Sequence, residues 1–246
     1  MNPLILIPAR YESSRLPGKP LKLIAGKSLI QRVYENLAQS NIDSYIITDS
    51  QKIEDHLLSF NAKVLRVDDE TKNGTERIYL AYQRYFSEME TNKKYDFVIN
   101  VQGDEPLLNK TTILKLLEFH RANSQFDIST IYRENSNHEH FQDPNTVKLV
   151  MNDEGACHYF SRSPIPYSAK IWKQHIGIYC YKVEALKKYC NAPSSLLSNL
   201  ENLEQLKALD LGMKIGAMET KEELIGVDVQ EDILRVESYL KSKGLK

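Results

Sequence analysis

Between positions 4 and 20 the chain reads LILIPARYESSRLPGKP, an apolar run broken at Pro8 and followed by Arg10, Arg15 and Lys19 within ten positions. Glu12 is the only acidic residue among them, and Gly18 supplies a flexible joint beside Lys19. Ligands of parallel α/β sheets lie at the carboxyl ends of the strands, and phosphate oxygens pair with Arg and Lys, so three cations on such a loop could cradle a polyphosphate. A solvated basic loop would carry the same residues, and the choice rests on the remainder of the chain. A second stretch, Asn100-Val101-Gln102-Gly103-Asp104-Glu105-Pro106, follows another apolar run. Its glycine permits close backbone approach, and Asp104 falls at the strand's carboxyl end. A third, Gly226-Val227-Asp228, follows the apolar pair Leu224-Ile225 and precedes a helical pattern. Mg²⁺ takes one or two carboxylates plus substrate oxygens, so two aspartates beside glycines suit a divalent metal held against phosphate. An Asp-Glu-Pro turn on its own is also ordinary turn chemistry.

Two other phosphate signatures are absent. Gly26-Lys27-Ser28 looks like the end of a P-loop, but the earlier glycine that motif requires is replaced by Leu21. No G-x-G-x-x-G occurs, which removes the dinucleotide fingerprint. Gly26-Lys27 reads instead as a turn closing into a helix that Lys27 or Ser28 starts.

The elements that must position these residues alternate. Short Ile- and Val-rich runs predict strands at 4–7, 45–48, 63–67, 97–101 and 127–132, with helical patterns at 29–40, 53–60, 75–86 and 111–121 between them. Such alternation implies right-handed crossovers and a mostly parallel sheet. From about Pro144 the rhythm changes: 147–151, 156–160 and 175–181 read as strands with little helix between them. Helices follow at 200–211 and 231–243, separated by a strand at 214–218. The expected fold is α/β, a mostly parallel Rossmann-like sheet flanked by helices, with a smaller antiparallel extension in the second half. A single domain over 1–246 with a lobe at about 144–182 is the expected organisation.

Composition narrows the function classes. The chain has 246 residues, 41% hydrophobic and 26% charged, with net charge −1. That is enough for a core without disulfide or metal support, and too balanced for non-specific nucleic-acid binding. Cys157, Cys180 and Cys190 form no C-x-x-C pair, the default of a reduced compartment. No run approaches eighteen apolar residues, and the N-terminus enters a strand pattern, so a cytoplasmic protein without membrane association is expected. His138 and His140 sit in a polar loop too poor in ligands for zinc. Tyr79, Tyr82, Tyr85 and Phe86 at helical spacing read as core, and Cys157 and Cys180 as inert buried thiols.

Taken in order, several segments carry a resemblance. They are IPARYESSRLPGKPL (7–21), NGTER (73–77), NVQGDEP (100–106), DPNTVKLV (143–150), YFSRSPIPY (159–167), HIGIYCY (175–181), LEQL (203–206) and GVD (226–228). Their order and spacing resemble the CMP-KDO synthetases, the 3-deoxy-manno-octulosonate cytidylyltransferases, nearly end to end. The resemblance implies a nucleotidyltransferase fold and a Mg²⁺-dependent transfer of CMP from CTP to an eight-carbon 2-keto-3-deoxy sugar acid for lipopolysaccharide or capsule. By similarity Arg10, Arg15 and Lys19 bind the triphosphate, with Ser13 and Ser14 donating hydroxyl hydrogen bonds. The cytosine and ribose fall near Gly74, Thr75, Arg77 and Gln102, and Asp104 and Asp228 hold the metal. Arg10, Lys19, Asp104 and Asp228 are the catalytic set it implies. The sugar falls to Arg162, whose planar fork suits the C1 carboxylate, and to His175, Tyr179, Glu204 and Gln205. Lys148 is a further candidate for substrate or phosphate contact. Read without the resemblance, Glu204 and Gln205 would be a solvated helix face and His175 a capping or core histidine. A homodimer through the segment around 147–181 is also implied.

Three departures from the family pattern lie on the sugar or subunit side. Ser198 stands near a place where a glutamate is usual, only seven residues separate Tyr167 from His175, and Lys207 follows EQL where Arg is common. An 8-amino-KDO or another acidic sugar is therefore an alternative acceptor. A non-catalytic nucleotide-binding regulator is the alternative from another class, against which both metal aspartates speak.

Overall fold

A computed structural model describes residues 1–13, 15–87 and 93–245. In chain order the elements are β1 (Pro3–Ala9), a 3-10 turn (Lys19–Leu21), β2 (Leu23–Ile24), β3 (Lys27–Ser28), α1 (Leu29–Ala38), β4 (Asp43–Thr48), α2 (Gln51–Leu58), β5 (Val64–Arg66), α3 (Gly74–Tyr85) and β6 (Phe97–Asn100). The chain continues with α4 (Lys110–Ala122), β7 (Ile128–Asn135), α5 (His138–Gln142), β8 (Lys148–Met151), β9 (Cys157–Ser161), β10 (Trp172–Lys182), α6 (Val183–Asn191), α7 (Leu196–Glu201), α8 (Glu204–Asp210), β11 (Ile215–Glu219) and α9 (Gln230–Ser242). The class is α/β, with mostly parallel strands flanked by helices and antiparallel pairing in the second half and in the short β2–β3 pair. The residues group into two compact units, 1–114 with 222–246, and 115–221, the break falling inside α4.

The first unit is a four-stranded parallel sheet. β1 lies between β6 and β4, and β5 pairs with the far side of β4. Leu4, Ile5, Leu6 and Ile7 are all fully buried, as expected of a strand covered on both faces. Ser28 caps α1 by accepting the Gln31 N–H at 3.2 Å, and Leu29, Ile30, Val33 and Leu37 turn one face inward. Gly26, at φ +83°, makes the corner between β2 and β3 that delivers Ser28 to its cap, so the Gly-Lys-Ser stretch is turn and cap, as read from the sequence. Beneath the basic loop, Leu16, Ile24 and Leu29 pack with Val227, Ile233, Val236 and Leu240, so the C-terminal helix is built into the same core.

In the second unit β7 pairs in parallel with β11 and antiparallel with β10, while β8 bridges β10 and β9 in antiparallel fashion. The expected lobe at 144–182 falls inside this unit. The expected helix at 200–211 is two helices, α7 and α8, broken at Asn202, which takes the left-handed φ of +52° and ends the first. His138 and His140 lie in the short helix α5, capped by Asn137, and not in a loop. Helix α6 was not foreseen. Tyr79, Tyr82 and Phe86 are buried as expected, and Cys157 and Cys180 are buried free thiols, with burial pushing Cys157 up to about 12. No helix among the described residues is long and apolar enough to cross a membrane.

Truncating a buried aliphatic side chain in the core shared by α9 and the basic loop should cost about 2–5 kcal/mol. Ile233→Ala is therefore expected to lower the urea midpoint at unchanged m-value. A shift near zero would show that α9 is not integral to the first unit.

Candidate functional site

The carboxyl end of the first unit's sheet gathers its charges. After β1, Leu16 is buried and anchors the loop, Gly18 takes a left-handed φ of +66°, and the Lys19 N–H closes on the Leu16 carbonyl at 3.0 Å. The Lys19 ammonium thereby reaches two carboxylates at once, donating to Asp104 Oδ2 at 2.8 Å and to Asp228 Oδ1 at 3.2 Å. Arg15 lies 2.9 Å from the same Asp228 oxygen. Burial works against the charge of Lys19, but the two aspartates outweigh it and its pKa is raised. Arg10 is exposed on the same loop and Ser13 half-buried, while Ser14 lies outside the described residues.

Asp104 is held from both sides. Gly103 passes so close to β1 that a Cβ there would sit 3.0 Å from the Pro8 carbonyl oxygen and 3.3 Å from Ile30 Cδ1. The Asp104 carbonyl accepts the Val227 N–H at 2.9 Å, which ties the two aspartate segments together. Asp228 belongs to the connection before α9, with no strand at Leu224-Ile225. Its N–H and that of Val229 are capped by the Asp232 carboxylate at 3.0 and 3.1 Å. Beside them the sequence reading missed Glu105, taken only as part of a turn. Its Oε2 is buried with no hydrogen-bond partner, and burial, with the negative Asp104 and Asp228 adding, pushes its carboxyl up to about 8. A signal was present in its place next to Asp104, but burial of one oxygen is invisible in a sequence.

The donor chemistry fits Mg²⁺. Asp104 and Asp228 already converge on one positive centre, the Lys19 ammonium, with hard oxygen donors. No group of three or more His, Cys, Asp or Glu suited to a metal occurs among the described residues, so a cation here would need oxygens from a substrate to complete its shell.

The residues expected around cytosine and ribose lie at the start of α3. Asn73 caps the helix through the Glu76 N–H at 2.9 Å, and Gly74 presses on Pro8, with space for a Cβ limited to 2.9 Å from Pro8 Cγ and 3.5 Å from Gln102 Oε1. Thr75 is fully buried and its Oγ1 accepts from Asn100 Nδ2 at 3.0 Å. Arg77, also buried, donates to the Val67 carbonyl and to Asp49 Oδ2 at 2.7 Å. A hollow of about 680 Å³ is lined by Arg10, Tyr11, Asp49, Lys52, Thr71 and Arg77, among others, and the Lys52 ammonium rests 4.6 Å from the Tyr11 ring centroid. Asp49 had been overlooked, although it follows the carboxyl end of β4 just as Arg10 follows that of β1.

The residues expected to hold the sugar form a polar network within the second unit. β10 shifts register against β7 between Ile176 and Tyr179. Thr130 Oγ1 lies there 2.9 Å from His175 Nε2 and 2.8 Å from the Ile178 carbonyl oxygen. Burial holds His175 far below the usual imidazole range, to about 3, so it is neutral at physiological pH. Tyr179, buried, donates to Gln205 Oε1 at 3.1 Å, and burial raises its pKa well above the usual phenol value. Gln205 is only 4% exposed, which excludes the solvated-face alternative for it, and its Nε2 has no partner among the described residues. Glu204 is half-buried at the start of α8 and its carbonyl accepts from Tyr189. Lys148 is completely buried and donates to the carbonyls of Asp143 and Arg162, both at 2.8 Å. Arg162 directs its guanidinium at the carbonyls of Glu201 (2.8 Å), Pro144 (2.9 Å) and Asn202 (3.2 Å). Ser198 is in the first turn of α7, its hydroxyl bonded to the Ser195 carbonyl at 3.1 Å.

Comparison with known proteins shows the family. A family model described as Cytidylyltransferase matches residues 4–215. The 3-deoxy-manno-octulosonate cytidylyltransferase of Fusobacterium nucleatum subsp. nucleatum is 39% identical over 251 residues, covering 100% of both chains. That of Chlamydia pneumoniae is 40% identical over 240 residues, covering 96% of this chain and 92% of its own length. A structure of CMP:2-keto-3-deoxy-manno-octonic acid synthetase complexed with CTP superposes with a TM-score of 0.89 at 32% identity, covering 99% of this chain and 100% of that one. In this chain Arg15, Lys19, Asp104 and Asp228 bring two cations and two carboxylates together in the first unit. The chain belongs to the cytidylyltransferase family, among the 3-deoxy-manno-octulosonate cytidylyltransferases.

Proposed function

We propose that this protein transfers CMP from CTP to KDO, giving CMP-KDO and pyrophosphate, with Mg²⁺ as the required cofactor. The observation that carries this is the Lys19 ammonium shared between Asp104 and Asp228 with Arg15 alongside. It is supported by the names of full-length relatives at 36–40% identity and by CTP in the 32%-identical structure. The anomeric oxygen of the sugar attacks the α-phosphorus, and the bond to pyrophosphate breaks opposite it. Arg10, Arg15 and Lys19 spread their charge over the phosphates and favour the pyrophosphate as it leaves. For Lys19 this is an exchange of partners, from two carboxylates to phosphate oxygens, and its short tether from Gly18 keeps both within reach. Asp104 and Asp228 would hold Mg²⁺, which when bound supplies Lewis-acid charge neutralisation at the phosphates. Gln102 and Gly74 border the approach to β1 where the nucleoside would sit. No enzyme nucleophile is needed, because positioning and charge account for this class of transfer. His175, Tyr179, Glu204 and Gln205 serve the acceptor.

We also propose that the protein works in the cytoplasm, where the buried thiols Cys157 and Cys180 stay reduced. Supply of lipopolysaccharide or capsule synthesis follows from the acceptor. A homodimer through the 147–181 segment is supported by large apolar side chains left in solvent there, Tyr167 at 96% and Ile171 at 64% exposure.

Pyrophosphate release from CTP in the presence of KDO, 8-amino-KDO or sialic acid tests the function. Release with KDO is expected, and CTP binding without release for any acid would favour the regulator. Asp104→Asn and Asp228→Asn should each lower kcat by about 10²-fold or more while the thermal midpoint moves little, because each removes charge at the phosphates and no core packing. Chelation should abolish turnover and Mg²⁺ restore it. Near-normal turnover of the Asp228 variant at low Mg²⁺ would remove Asp228 from the metal site. Sedimentation at micromolar concentration is expected to give twice the 28.4 kDa chain mass, and a monomer would end the dimer proposal.

A further inference from the structure

Helix α7 poses a structural question within the second unit. It is six residues long, none of them buried, and it ends in a left-handed Asn202 two and three residues before Glu204 and Gln205. The buried Leu203 anchors the α8 side of this corner, but no side chain of α7 is buried, and Gln205 beyond it is buried and holds the Tyr179 hydroxyl. What ties the α7 side of the corner to β9 is polar. The Glu201 carboxylate accepts the Ser161 hydroxyl on Oε1 at 2.6 Å and the Arg162 N–H on Oε2 at 2.9 Å. The Arg162 guanidinium returns to the same corner, Nε to the Glu201 carbonyl and one terminal nitrogen to the Asn202 carbonyl, while its other terminal nitrogen holds the Pro144 carbonyl. Behind it the buried Lys148 ammonium fixes the Arg162 carbonyl. The end of β9 and residues 201–202 are thus joined by four hydrogen bonds, two of them accepted by Glu201's own carboxylate.

We propose that Glu201 is a positioning residue for the acceptor, acting through the α7–α8 corner to set Glu204 and Gln205. Arg162 is its partner in this clamp, with its fork spent on backbone carbonyls and not offered to the acceptor's carboxylate. The proposal rests on the acceptor role given above to Glu204 and Gln205. Its logic is that of an outer hydrogen-bonding group that orients a contact residue it never replaces. An alanine at 201 leaves the Arg162 N–H without its acceptor and loosens the corner. A glutamine keeps the shape and can accept from the Arg162 N–H while donating to Ser161 Oγ.

Steady-state kinetics of Glu201→Ala, Glu201→Gln and Arg162→Lys, alone and combined, test this. For Glu201→Ala the KM for the sugar is expected to rise about tenfold, the order of one net hydrogen bond. The KM for CTP should stay within about twofold, and Glu201→Gln should stay close to the unsubstituted chain for both substrates. Adding Arg162→Lys to Glu201→Ala should change little further, because both break one clamp. An unchanged sugar KM in folded Glu201→Ala would overturn the proposal. So would effects of the two substitutions that multiply, which would mark Arg162 as contacting the sugar independently. If Glu201→Ala does not fold, Ser161→Ala, which spares every Arg162 bond, should show a smaller rise confined to the sugar, and equal rises for sugar and CTP would overturn the proposal. Absence of pyrophosphate release by the unsubstituted chain with every acid would sink the functional reading and the acceptor role with it. Faster amide exchange at 203–206 in Glu201→Ala would still report the clamp.

Discussion

Two carboxylates from segments 124 positions apart in sequence repel one another, and bringing Asp104 and Asp228 onto one ammonium is the constraint from which the first unit's design follows. The attraction of Lys19 and Arg15 offsets that repulsion, but exposed ion pairs alone contribute little to holding a fold together. The convergence is instead enforced by packing and backbone bonds. Val227 is buried against Leu16, Ile24 and Leu29, its N–H is bonded to the Asp104 carbonyl, and Asp232 caps the helix that follows. The cationic loop, the QGDEP turn and the C-terminal helix are therefore one mechanical object. Its residual cost is visible in Glu105, whose carboxyl is raised to about 8 by burial, with its two negative neighbours adding to the shift.

The two units handle polar chemistry in opposite ways. In the first, the charged side chains stand partly in water and pair with one another, which leaves them able to exchange partners when a polyanion arrives. In the second, Thr130, Lys148, His175, Tyr179 and Gln205 are buried and their bonds run within the protein. Such a network is costly to leave unsatisfied and therefore stiff. A triphosphate is recognised by its charge, which tolerates side chains that move. The hydroxyls of a sugar acid are told from those of its analogues by hydrogen-bond geometry, which does not.

These contrasts explain what could be read from the amino acids. The strand at Leu4–Ile7 announces itself because burial on both faces demands an unbroken apolar run, and the rule that ligands meet strand carboxyl ends then selects Arg10, Arg15, Lys19 and Asp104. Asp228 was found through its glycine and its motif, though it sits on a connection and not at a strand end. The same rule applied to β4 would have found Asp49. The second unit was less legible. Residues 200–211 have helical periodicity throughout, and the break at Asn202 depends on a left-handed residue that periodicity does not encode, although asparagine tolerates it better than most. Gln205 has the composition of a solvated helix residue, and only the fold shows that it is buried, whereas His175 is buried as its core reading allowed.

Arg162 shows where inference from residue type runs out. A guanidinium near an acidic sugar suggests a bidentate carboxylate, because that is the strongest bond it can make. Here three of its five N–H donors meet the backbone carbonyls of Pro144, Glu201 and Asn202, a use of arginine governed by how many acceptors a corner leaves exposed. Helix termini end in unpaired carbonyls, and α7 with its left-handed end presents them at Glu201 and Asn202. A short helix without a buried face needs something to bind those carbonyls, and Arg162 does so while Glu201 returns a carboxylate to the arginine's own backbone. The reciprocity of that pair, donor and acceptor on each side, lets a solvent-exposed corner carry buried Gln205 at a fixed place.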